Sequence, residues 1–130
     1  MTEQIKFSDL TYRVDDILGW KVEKWSYNGR LHSVDDRPGM ILDDGVEMKW
    51  YHMGVLHRDG NKPALHNTVT DKQSFYKHGR LHNHLGPAKH YADGSVEWWW
   101  EGIHCHDIKH WLSLNNTDCE EVVMLKLKYL

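Results

Sequence analysis

Histidine is the side chain of this sequence best suited to chemistry near neutral pH, and 11 of the 130 residues are histidine. Three of them, His32, His57 and His82, recur at intervals of 25 residues. Metal or phosphate binding is one interpretation. Equivalent residues two strands apart in a sheet are about 9–10 Å apart, however, whereas each ligand of a zinc ion lies about 2.1 Å from it. We therefore predict that these residues, the His ladder, are structural and bond to the backbone of the next repeat.

A second group of histidines, His104, His106 and His110, is a weak candidate for a metal site. On a strand His104 and His106 face the same way, and His106 and His110 share a face if a helix begins at residue 106. Cys105 or Asp107 would supply a further ligand. The spacing matches no established zinc signature, so we predict no metal and no other cofactor. Catalysis by Cys105 with a neighbouring histidine is disfavoured, because sequence neighbours on a strand point to opposite faces.

Three consecutive tryptophans, Trp98, Trp99 and Trp100, cannot all face one side of a strand. If Trp98 and Trp100 share one side, Trp99 faces the other. An exposed Trp99 would anchor an interface or stack on a nucleotide base. The alternative, in which Trp111 and a C-terminal helix bury this tryptophan, stays open.

Basic residues recur close to the hairpin turns, which predicts a positively charged strip on the later repeats. A strip with aromatic neighbours would hold the phosphate and base of a nucleotide. The alternative is an ordinary solvated strand face. The strip comprises Arg30, Lys77, His78, Arg80, Lys89 and His90.

Glycines at residues 29, 54, 79 and 102 divide the chain into internal repeats with a spacing of 25, 25 and 23 residues. Each glycine is predicted to lie in a tight hairpin turn, and a second turn signal falls near residues 44–45, 70–71 and 93–94. A leucine lies two residues after each glycine, with Ile103 one place early in the last repeat. An aromatic residue lies four positions before each glycine, and we predict that each packs on its own copy in the neighbouring repeat. This aromatic ladder consists of Trp25, Trp50, Phe75 and Trp98.

These patterns predict a mainly β fold, in which repeated antiparallel hairpins form an elongated meander capped by short C-terminal α-helices. We expect Asp107 to cap the first helix and Thr117 to open a capping box with Glu120 for the second. An edge strand at residues 5–14 is expected to leave a free sheet edge, through which a homodimer is an open alternative. The chain is predicted to be a single domain, 1–130, made of an N-terminal edge at 1–19 with a turn at 15–19, hairpin repeats at 20–104 and a helical cap at 105–130.

The composition narrows the class of protein. The chain has 16 basic and 19 acidic residues, a net charge of −3, which argues against general binding of nucleic acid. No apolar run approaches the ~20 residues that span a bilayer, so no membrane association is predicted. Two cysteines are too few for a disulfide scaffold. We predict a cytoplasmic protein.

Three segments of the repeats carry a family resemblance: Gly54 to Gly60, Gly86-Pro87-Ala88 and Tyr91-Ala92-Asp93-Gly94. Through them, residues 20–104 resemble a tandem repeat of tailed-phage and giant-virus proteins that is similar to the MORN repeat, with the approximate form Trp-Tyr-x-x-Gly-x-x-His-Arg-x-x-Gly-Pro-Ala and a strand ending in Asp-Gly. Only Arg58 matches the arginine that follows the histidine in this form, since Ser33 and Asn83 replace it in the other repeats.

The resemblance implies a module for interaction and no catalytic residues. The leading functional prediction is a non-enzymatic binding protein, a phage accessory protein that binds and modulates a host protein, such as a defence protein, in the host cytoplasm. The first alternative is a protein that sequesters a nucleotide or another small molecule through Trp99 and the basic strip. The second is a metal-dependent enzyme centred on His104, His106 and His110.

Overall fold

The computed structural model describes residues 4–130, and the fold of this part of the chain is mainly β, as predicted. The strands are β1 (Thr11–Ile17), β2 (Trp20–Tyr27), β3 (Arg30–Leu31), β4 (Met40–Leu42), β5 (Glu47–Lys49), β6 (Tyr51–His52), β7 (Val55–Leu56), β8 (Leu65–Asn67), β9 (Lys72–Ser74), β10 (Tyr76–Lys77), β11 (Arg80–Leu81), β12 (Lys89–His90), β13 (Val96–Trp100) and β14 (Ile103–Cys105). Ten of them form an antiparallel sheet in the order β1-β2-β4-β5-β8-β9-β12-β13-β14, with β3 paired to β2. Because the spatial order of these strands follows their order in the chain, the sheet is a meander.

The repeat glycines lie at the tips of four hairpins, as predicted. Asn28 and Gly29 have φ angles of 50° and 78°, the left-handed pair that a type I′ hairpin turn requires. The tips form a row beside the main sheet, because the glycine N–H of each tip donates to a leucine carbonyl of the preceding one. These bonds run from Gly54 to Leu31 (2.8 Å), from Gly79 to Leu56 (2.8 Å) and from Gly102 to Leu81 (2.9 Å).

The aromatic ladder alternates with small residues, which differs from the expectation that each ring packs on its own copy. Ala64 and Ala88 are fully buried, and each accepts a backbone hydrogen bond of 2.7 Å, from Trp50 and Phe75 respectively. The third position is Gly39, where an added Cβ would lie 3.1 Å from Ser33 Oγ. The intervening strand thus contributes a small side chain at the level of each ring, and the rings of successive repeats stay two strands apart.

The last repeat is shorter, yet its hairpin keeps the register of the others. Trp99 pairs with His104 as Tyr76 pairs with Leu81. The prediction that Ile103 takes the leucine position is therefore wrong, since Ile103 pairs with Trp100. The last repeat is two residues shorter than the others because the loop after the histidine and the turn before β13 are each one residue shorter.

The N-terminal edge of the sheet is β1, which pairs with β2 over seven positions. The predicted turn at Asp15 and Asp16 is wrong, because both residues lie in β1 and the reversal occurs at Leu18 and Gly19. The predicted edge strand at 5–14 begins later, at residue 11, since Phe7–Asp9 forms a short 3-10 helix. Residues 1–3 of the predicted edge lie outside the described residues.

Two helices, α1 (Ile108–Leu114) and α2 (Glu120–Tyr129), close the other end of the sheet. The core lies here, where Trp111, Leu112 and Val122 are almost completely buried beside Cys105. Within residues 4–130, neither helix is long and apolar enough to cross a membrane.

The two helix starts test the capping predictions. Asp107 caps α1 as predicted, and its Oδ1 accepts the N–H of His110 at 2.8 Å. The capping box at Thr117 is wrong, because the N-cap of α2 is Cys119 and no side chain caps it. The side-chain amide oxygen of Asn115 instead accepts the N–H of Thr117 at 2.9 Å, which fixes the turn between the helices.

Candidate functional site

The His ladder connects neighbouring hairpin tips. In each case the imidazole Nδ1 accepts the backbone N–H of the residue that precedes the next repeat glycine. This is the structural role that the sequence predicts for these histidines. The bonds join Met53 to His32 (3.0 Å), His78 to His57 (2.9 Å) and Glu101 to His82 (3.0 Å).

These contacts fix the chemical state of the ladder. An Nδ1 that accepts an N–H carries no proton, so the neutral ring is protonated on Nε2. His57 fits this tautomer, because its Nε2 lies 2.8 Å from Asp59 Oδ1. Burial lowers the pKa of His82 to about 4, with nearby Lys77 as the second cause. Burial, followed by the charge of His52, also lowers the pKa of His32. The Nδ1 bonds of the ladder thus join each repeat to the next.

An ion pair connects the loops that follow the first two ladder histidines. Arg58 Nε and Nη2 donate to the two carboxyl oxygens of Asp36, at 2.9 and 3.2 Å. The guanidinium also donates to the Pro63 carbonyl at 3.0 Å and lies 3.7 Å from the ring centroid of Trp50. Hydrogen bonds from Arg58 and Lys62 hold the pKa of Asp36 down to about 2. The arginine that matches the family motif is thus committed to the fold.

We expect replacement of Arg58 by alanine to lower the free energy of unfolding by about 2 kcal/mol, because a half-buried bidentate pair and a cation–π contact are lost together. Urea unfolding measures this change. The matched control is Arg13→Ala, since Arg13 is three-quarters exposed and pairs with the carboxylate of its neighbour Asp15; the cost of this substitution should stay within about 0.5 kcal/mol. Equal costs for the two variants would contradict the structural role of Arg58.

The structure places the residues of the predicted basic strip in three separate positions. Lys77 pairs with Arg80 across one hairpin tip, and both line a small cleft with His78 and Glu101. Arg30 lies two tips away, beside Gly29, and its side chain packs on Gly54 of the next tip. The remaining two residues lie in β12 of the main sheet: Lys89 pairs with Glu97 and Ser74, and His90 with Val96 and Gln73. The predicted set is therefore not one continuous strip.

Trp99 lies on the opposite face of β13 from Trp98 and Trp100, as the alternation predicts. Trp98 and Trp100 contact Trp111, with ring centroids 4.9 and 6.4 Å apart. Trp99 is half-buried, which lies between the exposed ring and the ring buried by the helical cap that the sequence left open, and it is absent from the core around Trp111. Its ring stacks on His104 at 4.5 Å with an angle of 6° between the planes.

A carboxylate organises the surface around Trp99. Glu97 accepts the indole N–H of Trp99 at 3.0 Å and the hydroxyl of Tyr91 at 2.7 Å, and the imidazole Nε2 of His104 lies 3.8 Å away. The hydrogen bonds from Tyr91 and then Trp99 lower the pKa of Glu97, so this carboxyl is charged at neutral pH. We call Tyr91, Glu97, Trp99 and His104 the Trp99 surface. The sequence analysis did not identify Glu97 and Tyr91. The available signal was spacing along the strands, since Glu97 lies two residues before Trp99 and Tyr91 lies two residues after Lys89.

The second group of histidines is not assembled into one cluster. His106 and His110 meet, with their Nδ1 atoms 3.1 Å apart, but His104 belongs to the Trp99 surface. Within residues 4–130, no group of three or more His, Cys, Asp or Glu side chains is placed to hold a metal ion. Burial raises the pKa of the Cys105 thiol, which disfavours the thiolate that a nucleophile needs.

The clefts of the described chain are modest. Two of them flank the loop at residues 57–62, with volumes of about 180 and 340 Å³. Their polar side chains include Asp36, Arg58 and His82, which already have partners within the fold. Comparison of the chain with models of protein families, with curated proteins and with solved structures finds no match.

Proposed function

We propose that this chain is a non-enzymatic binding module that engages a partner protein through the Trp99 surface. The observation that carries the proposal is the state of Trp99, a large aromatic side chain held in one orientation by His104 and Glu97 while part of it faces solvent. Tryptophan is enriched at the centres of protein interfaces, and an anchor that is already ordered loses little entropy on binding.

The surroundings of Trp99 favour a protein partner over a nucleotide. One face of the indole is stacked on His104 and its N–H is used by Glu97, so less of the ring is free for a base. The charge bonded to the indole is the carboxylate of Glu97, which would repel a phosphate, while Lys89 pairs with Glu97 on the neighbouring strand and already faces that carboxylate. An arginine or lysine of a partner protein suits a charged carboxylate flanked by aromatic rings.

Three features support a non-enzymatic role. The ladder histidines use Nδ1 for structure, Arg58 is committed to Asp36, and the Cys105 thiol is buried. These groups are among those that the sequence offers for acid–base or nucleophilic chemistry.

The resemblance to repeat proteins of tailed phages extends the proposal. On that basis the chain is a phage accessory protein, and its partner is a host protein, such as a defence protein, in the host cytoplasm. This extension depends on the repeat motif in residues 20–104 rather than on the Trp99 surface.

The proposal predicts that Trp99→Ala weakens capture of the partner at least about tenfold, as expected for the loss of a central aromatic anchor. Tagged protein is used to capture partners from a bacterial lysate, and the bound protein is quantified by mass spectrometry. Trp20→Ala is the matched control, since Trp20 is half-exposed at the other end of the sheet. Thermal melting verifies that both variants fold.

Either of two results would overturn the proposal: no stoichiometric protein partner, or equal capture by the wild type and the Trp99→Ala variant. Native mass spectrometry of the purified protein distinguishes the alternative. A bound small molecule of nucleotide mass, lost in the Trp99→Ala variant, would favour sequestration of a nucleotide instead.

A further inference from the structure

Helix α2 presents apolar side chains on two sides, and only one of them is covered by the rest of the described chain. Val122 is fully buried and packs in the core with Leu125. On the outer side, Met124 is 59% exposed and Leu127 is 74% exposed. Positions spaced by three and four residues lie along one helix face, so these side chains form a stripe. The outer stripe consists of Val123, Met124, Leu127 and Leu130.

The charges beside the stripe are arranged in a self-complementary way. Glu121 lies in the first turn of α2 and Lys128 in the last. They are seven residues apart, which is about two turns, so they lie on the same side of the helix about 10 Å apart along its axis. Among residues 4–130, neither takes part in an ion pair.

We propose that the outer stripe of α2 binds α2 of a second copy of this chain in an antiparallel, two-fold arrangement. A two-fold axis near Met124 and Leu125 places Glu121 beside Lys128 of the second copy, and symmetry repeats this contact. A parallel arrangement would place like charges at the same height. The antiparallel pair also opposes the two helix dipoles favourably.

The geometry also sets the strength of the contact. A helix of ten residues is about 15 Å long, which is short for a stable interface, so the dimer belongs to the weak class with a dissociation constant in the micromolar range. A groove with a volume of about 570 Å³ lies beside the stripe, between its Met124 and the core residue Leu125, and Glu120, Glu121 and Lys128 also line it.

Sedimentation equilibrium over a wide range of protein concentration tests the proposal. The wild type is expected to pass from the 15.4 kDa monomer to a dimer as the concentration rises. Glu121→Lys and Lys128→Glu each place like charges in contact, and each should raise the dissociation constant about tenfold. The double variant restores both attractive pairs and should return to within about twofold of the wild type. An equimolar mixture of the two single variants should dimerise better than either alone.

Leu127→Asp separates this interface from others. Leu127 is exposed, so the variant is expected to fold, and it should remain monomeric at every concentration. Dimerisation of this variant at the wild-type strength would overturn the proposal and point to the free edge of β1 instead. A wild type that stays monomeric throughout, or a double charge variant that does not recover, would overturn it as well.

Discussion

Replacement of Trp111 by alanine is expected to lower the free energy of unfolding by about 3–5 kcal/mol, the largest effect of any single change considered for this chain. Trp111 is fully buried, and its rings contact Trp98 and Trp100 of the last repeat. Its indole N–H donates to the Asn83 carbonyl at 3.1 Å, so the substitution leaves both a cavity and a buried carbonyl without its partner. The total free energy of unfolding of a domain of this size is about 5–15 kcal/mol.

Chemical denaturation followed by circular dichroism measures the effect of the Trp111 substitution. Trp20→Ala is the control, since it removes the same side chain at a half-exposed position, and its cost should stay near 1 kcal/mol. Trp111→Phe keeps an aromatic ring in the core and should fall between the two. A Trp111→Ala variant as stable as the Trp20→Ala variant would contradict the view that the helical cap holds the end of the sheet.

Acidification is the second large effect expected. The pKa of His82 is 6.5 in the unfolded chain and about 4 in the folded protein. Between these two values the unfolded chain binds more protons, so the free energy of unfolding falls as the pH falls from about 6.5 to 4. A difference of about 2.5 pKa units corresponds to about 3 kcal/mol. Below pH 4 both states are protonated at this residue, and its contribution is lost.

Asp36 titrates in a lower window. Its folded pKa, about 2, lies below the usual 3.8, so its ion pair with Arg58 stabilises the protein above pH 3.8. That stabilisation is lost as the pH falls from about 4 to 2. The two groups therefore act at different steps of an acid titration.

Urea unfolding at a series of pH values between 7.5 and 4 tests the role of His82. His82→Asn keeps a hydrogen-bond acceptor near the position of Nδ1 but removes the titrating ring. In this variant, most of the fall in the free energy of unfolding above pH 4 should therefore disappear. His106→Asn removes an exposed imidazole and controls for the substitution itself. A decline that is the same in the wild type and the His82→Asn variant would show that the acid sensitivity arises elsewhere.

The local features of this fold were predictable from sequence because neighbouring residues determine them. Asn28 and Gly29 predict a hairpin turn, since few residue pairs adopt two positive φ angles easily. Asp107 predicts a helix start because its side chain bonds to the backbone three residues on. The spacing of the repeat glycines then fixes the order of the hairpins.

The remaining features depend on competition between neighbouring side chains or on contacts between distant residues. Thr117 and Glu120 have the spacing of a capping box, yet Asn115 binds the N–H of Thr117 and the helix begins later. Arg58 and Asp36 are 22 residues apart, and only the stacking of repeats brings them together. The Trp99 surface could be predicted in part, because strand alternation turns Trp99 away from the cap, whereas the partners that orient it depend on strand register.

The structure assigns one role to the histidines of the ladder, which join the repeats through Nδ1. Nuclear magnetic resonance of protein labelled with ¹⁵N in histidine tests it directly, because nitrogen shifts report both tautomer and protonation. The account predicts the Nε2–H tautomer for His32, His57 and His82, and a pKa of about 4 for His82. An Nδ1–H tautomer, or a His82 that titrates near 6.5, would contradict it.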